Sequence, residues 1–70
     1  MKKVIIDWKI RHGKPVIEGT RITVEEILGM LAGGMTYEEI EREYGLTKDE
    51  VLAAVRYAVS LMRGEEVFRI

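Results

Sequence analysis

Six basic residues are spaced through the first 22 positions, Lys2, Lys3, Lys9, Arg11, Lys14 and Arg21, against Asp7 and Glu18, a balance of +4. Lysines and arginines set along an arm in this way neutralise phosphates, and arginine forks also pair with carboxylates. From residue 23 onward five Lys/Arg stand against ten Asp/Glu, a balance of −5. A basic arm on an acidic body bears on partners rather than on fold. The plainer alternative is that helical surfaces favour Glu and the arm is a solvated strand.

Bond-making chemistry finds little here. A nucleophile–base pair needs both members, and the chain holds one histidine, His12, and one serine, Ser60, far apart in sequence. The absence of cysteine excludes disulfides and thiolate ligands, and a lone His does not make a zinc site. The pairs Glu25–Glu26, Glu38–Glu39 and Glu65–Glu66 are of a type that ligates divalent cations, but helix capping and solvated faces account for them. Gly33-Gly34 reads as a helix stop, not as a phosphate-binding loop. The expectation is no enzyme, no metal, no cofactor and no small-molecule substrate.

The elements that position the charges follow from local patterns. Thr23, Thr36 and Thr47 are each followed three positions later by Glu26, Glu39 and Glu50, the capping box in which hydroxyl and carboxylate satisfy two orphan N–H groups. The residue before each Thr has an apolar staple partner five positions on: Ile22 with Ile27, Met35 with Ile40, Leu46 with Val51. Gly33-Gly34, Gly45 and Gly64 mark the C-termini, where glycine enters the left-handed conformation cheaply. Helices are therefore expected at about 24–32, 37–44 and 48–63. The third carries more apolar residues than one core stripe needs, from Val51 and Leu52 to Leu61 and Met62. The surplus either meets another chain, making a homodimer, or is covered by the N-terminal strands.

Those strands come from "KVIIDWKIRH". Val4, Ile6, Trp8 and Ile10 share one face by alternation, and Ile5, Asp7, Lys9 and Arg11 the other. A turn at Gly13-Lys14-Pro15 and a short strand at Val16-Ile17 follow, then a turn at Gly19-Thr20. The expected fold is mostly α with a small N-terminal β element: a trihelical helix-turn-helix, homeodomain-like bundle plus a short β hairpin or strand arm. The basic arm spans 1–22, the helical body 23–64 and a tail 65–70, in one domain overall. Seventy residues bury only about 60% of the unfolded surface, so the core is thin. The chain has no Asn and no Gln, a depletion of thermolabile amides typical of thermophiles. The apolar run Val4–Ile6 is too short for a signal core or a membrane span, which points to the cytoplasm.

The stretch "GKPVIEGTRITVEEILGMLAGGMTYEEIEREYGLTKDEVLAAVRYA" resembles the small prokaryotic family called domain of unknown function 433, over roughly residues 5–60. The family's recurrent G-[KR]-P-x-I-x-G-T-R segment appears as Gly13-Lys14-Pro15-Val16-Ile17 and Gly19-Thr20-Arg21. The resemblance implies a trihelical helix-turn-helix domain with an added β element. It also implies an antitoxin that binds a small PIN-like nuclease and its own promoter DNA. Ile40, Tyr44, Leu46, Val51 and Ala54 stand where such a motif needs apolar contacts, while Glu41 occupies a position that usually takes a small residue.

Two readings of function result. In the first, the chain is an antitoxin whose Arg56, Arg63, Phe68 and Arg69 engage the nuclease, an arginine pairing with the acidic site and Phe68 serving as apolar anchor. For the tail, a frayed terminus is the alternative. In the second it is a free-standing transcriptional regulator. Asp49 and Glu50 at the start of helix 3 repel phosphate, so DNA contact falls to Lys2, Lys3, Lys9, Arg11, Lys14 and Arg21, with Lys48 beside them.

Overall fold

A computed structural model describes residues 3–68, the last four as backbone only. Strands β1 (Val4–Ile5) and β2 (Val16–Ile17) precede helices α1 (Val24–Ala32), α2 (Tyr37–Tyr44) and α3 (Lys48–Phe68). The protein is mostly helical with a small antiparallel sheet, in which Val4 faces Ile17 and Ile5 faces Val16.

β2 is paired on both sides. Along its other edge Val16 bridges Thr23, the Ile17 amide donates to Ile22 O at 3.1 Å, and the Val24 amide donates to Pro15 O at 2.9 Å. Gly19 at φ 80° and the Thr20 hydroxyl, which donates to Ile17 O at 2.8 Å and accepts from the Ile22 amide at 3.0 Å, close that turn. The "PVIEGTRI" segment is thus a folded hairpin that puts Val16 and Ile17 fully inside.

All three capping boxes form. Thr23, Thr36 and Thr47 accept from the Glu26, Glu39 and Glu50 amides, and each Glu carboxylate accepts from its own Thr amide, at 2.8 to 3.2 Å. α1 ends in a Schellman motif, with Met35 N donating to Met30 O and Gly34 N to Leu31 O, both at 3.0 Å. The left-handed residue there is Gly34, at φ 94°, while Gly33 remains right-handed. Gly45, at φ 74°, ends α2.

Ile17, Val24, Ile27, Ile40, Leu46, Val51 and Ala54 form the core, with Val4, Ile22, Met35 and Tyr57 against it. Of the residues expected between α2 and α3, Tyr44 departs: it is half exposed.

Two expectations are corrected. The third helix does not stop before Gly64 but runs to Phe68. Gly64 sits within it without a positive φ, because glycine permits the left-handed turn without imposing it and Glu65-Glu66 continue a helix readily. The strand expected through Ile10 ends at Ile5. Asp7 turns the chain: its carboxylate accepts from the Lys9 amide at 2.8 Å and its carbonyl from the Ile10 amide at 2.9 Å. Ile6 and Trp8, placed on the buried face by alternation, are 60% and 83% exposed.

Candidate functional site

The expected basic residues divide by what holds them. Residues 11–13 form a one-turn helix that is left-handed throughout, with Arg11, His12 and Gly13 at φ 51°, 59° and 82°. Arg11 fixes this turn on the body, its Nη1 donating to Glu26 Oε1 at 3.0 Å and to Arg21 O at 2.8 Å. Its guanidinium is therefore engaged within the protein. Lys14 Nζ lies 3.6 Å from Glu25 Oε1, both side chains well exposed. Lys48 Nζ stands 5.2 Å over the Tyr37 ring, joining the start of α3 to α2. Lys3, Lys9 and Arg21 are exposed and, among the described residues, have no ion-pair partner. Lys2 lies outside the described residues.

Arg11 and Arg21 come together at a hollow of about 440 Å³ with Ile22, Glu26, Met30 and Tyr44. The Glu26 carboxylate in its wall is held below the usual glutamate range, first by the Thr23 amide and then by Arg11. Of the two guanidinium groups at the hollow, that of Arg11 bonds to this carboxylate, and Arg21 makes no ion pair with it.

The second feature lies on α3. Val59, Leu61 and Met62 are exposed, so the N-terminal strands do not cover the surplus apolar surface of this helix. Tyr57, Leu61 and Met62 form an apolar groove of about 360 Å³ with Pro15, Val24 and Leu28. Arg56 and Arg63 are exposed on the same helix, but at seven-residue spacing they share the face turned away from the groove. The side chain of Phe68, and Arg69 altogether, lie outside the described residues.

Sequence reasoning missed the exposed display of Trp8, which alternation placed inside. The signal that finds it is Asp7, a turn-former two residues before the amide it caps. The hollow beside Arg11 had no signal, because its lining comes from four separate segments. Among the described residues no group of three or more His, Cys, Asp or Glu stands where it could hold a metal ion. No helix among them is long and apolar enough to cross a membrane.

A family model described as "Protein of unknown function (DUF433)" matches residues 4–58, from β1 into α3. The chain is 33% identical over 52 residues to a Mycobacterium tuberculosis H37Rv protein named "Putative antitoxin VapB45". That match covers 74% of this chain and 22% of the relative. The crystal structure of Rv2018 from Mycobacterium tuberculosis superposes with a TM-score of 0.67 at 33% identity, over 74% of this chain and 24% of that one. The chain thus spans under a quarter of the length of either.

Proposed function

The chain belongs to the DUF433 family, and from that premise we propose that it is an antitoxin-like protein that binds and neutralises a small PIN-like nuclease in the cytoplasm. The observation that carries this reading is the 33% identity to a relative named as an antitoxin, running over 74% of the chain. The protein acts by binding rather than by catalysis.

Its fold supports the reading in two places. The exposed apolar groove on α3 offers a surface for a second copy, which would make the antitoxin a homodimer. Exposed Arg56 and Arg63 lie on the same helix, where they can reach carboxylates of a nuclease.

Promoter binding is the second activity. The three-residue connection Gly45-Leu46-Thr47 and the buried contacts of Ile40, Leu46, Val51 and Ala54 support a helix-turn-helix at α2–α3. Asp49, exposed in the first turn of α3, repels phosphate, so Lys3, Lys9, Lys14 and Arg21 carry the DNA contact. A free-standing regulator would use the same residues.

Co-expression of the tagged chain with the product of its neighbouring gene, followed by sizing of the eluted complex, tests the proposal. A stoichiometric complex with a nuclease, whose activity falls in the complex, is the expected result. A lone homodimer that binds promoter DNA, with affinity falling steeply as salt rises, would establish the regulator instead.

A further inference from the structure

We propose that Trp8 is the anchor through which this chain docks on its protein partner, entering an apolar pocket rimmed by carboxylates. This rests on the antitoxin reading and assigns the partner-facing site of that activity to the N-terminal turn rather than to α3 and the tail.

Trp8 is the only tryptophan in the chain and is 83% exposed, with Ile6 near it at 60%. Large apolar side chains that a chain with so thin a core leaves outside stand out against its folding needs. The ring is positioned as well as exposed. Asp7 fixes the turn from both its carboxylate and its carbonyl. The benzo ring lies against Gly13, so close that a Cβ there would stand 3.0 Å from Trp8 Cε3. A side chain already held in place loses less freedom on binding, and tryptophan is over-represented among residues that dominate interfaces.

The backbone beneath it is strained. Arg11 and His12 both take the left-handed conformation that L-residues avoid, and the Arg11 bonds to Glu26 and Arg21 O keep them there. Strain of this kind gathers where a surface is shaped for a ligand. Here it holds a turn that buries neither Trp8 nor Ile6.

Charge selects the occupant. Lys3, Lys9 and Arg21 are exposed cations without ion-pair partners among the described residues, and they suit carboxylates. Glu18 and Glu25, also exposed, stand on the segments that hold this turn, and the chain is −1 overall. Promoter phosphates can meet the same cations, but they offer an exposed indole no apolar pocket to enter. An aromatic anchor with a mixed, mainly basic rim fits a protein interface.

The test uses the full chain labelled with 5-fluorotryptophan, which gives one fluorine resonance, titrated with the neighbouring gene's product and separately with promoter duplex. Binding is measured for wild type, Trp8→Ala, Trp8→Phe and Lys9→Glu, each first checked for folding by urea unfolding. The expected result is a resonance shifted by the protein and a loss of about thirtyfold or more for Trp8→Ala. Trp8→Phe should recover part of that loss, and Lys9→Glu should weaken binding in a salt-dependent way. A complex as tight with Trp8→Ala as with wild type, and an unmoved resonance, overturns this proposal and leaves the antitoxin reading standing. A shift caused by the duplex alone overturns it in favour of nucleic acid. Absence of any complex with wild type overturns both.

Discussion

Arg11 and Glu26, fifteen residues apart in sequence, meet at 3.0 Å. The same Oε1 accepts the Thr23 amide at 2.9 Å, so one carboxylate oxygen serves both the cap of α1 and the tether of the left-handed turn. One side chain therefore links the N-terminal turn to the cap of the first helix.

Glu26→Ala should cost more than Arg11→Ala, because it removes half of a capping box as well as the ion pair. The pair is substantially exposed, which limits its own worth to about 0.2–1 kcal/mol, whereas capping adds about 1 kcal/mol. Urea unfolding of the two single variants and the double variant reads the order and the coupling. Equal costs would show that the tether and the cap are not shared.

Among the caps, Thr23→Ala should be the most damaging, at the upper end of the range of about 0.5–2 kcal/mol, and Thr36→Ala the milder. Thr23 is buried and bridges β2, so its loss strips a hydrogen bond from the interior. Thr36 is exposed and water replaces its hydroxyl. Chemical denaturation of both variants decides the ranking.

Acid should weaken the fold through the capping carboxylates. Backbone donation from Thr23 and Thr36 holds Glu26 and Glu39 below the usual glutamate range, with the Arg11 hydrogen bond assisting Glu26. A depressed folded-state pKa contributes stability that is fully present above the unfolded value, near about 4.3, and is lost as pH falls through the lower folded values. Thermal midpoints should therefore hold from neutrality down to about pH 5 and drop below about pH 4. Glu26→Gln should lower the midpoint at neutral pH and flatten the acid limb.

Gly45, which caps α2, and Gly64, inside α3, should respond in opposite directions to alanine. Gly45 is left-handed at φ 74°, with open space where a Cβ would stand, so Gly45→Ala costs about 1–2 kcal/mol from backbone strain alone. Gly64 lies inside α3, also with open space and without a positive φ, so Gly64→Ala should stabilise by about 0.5–1 kcal/mol. Unfolding midpoints and helical circular dichroism check both. Destabilisation by Gly64→Ala would contradict a helix that runs to Phe68.

What the sequence determined by itself is what lies within one helical turn. The Thr–Glu boxes at 23/26, 36/39 and 47/50 and the stops at Gly34 and Gly45 are contacts between residues three to five positions apart, so residue type and spacing specify them. The family segment from Gly13 to Arg21 belongs with them, because its turns bond to their own neighbours. Tertiary structure alone decided whether an apolar side chain finds cover. Ile6 and Trp8 alternate as Val4 does, yet only Val4 reaches the core, since the sheet partner of β1 is two residues long. Leu61 and Met62 continue the pattern of Val51 and Ala54 but only edge an open groove with Val24 and Leu28 of α1, because a 21-residue helix of about 31 Å outruns a core this small. The meeting of Arg11 with Glu26 belongs to the same class, as it joins segments whose proximity is fixed only once β2 has folded between them.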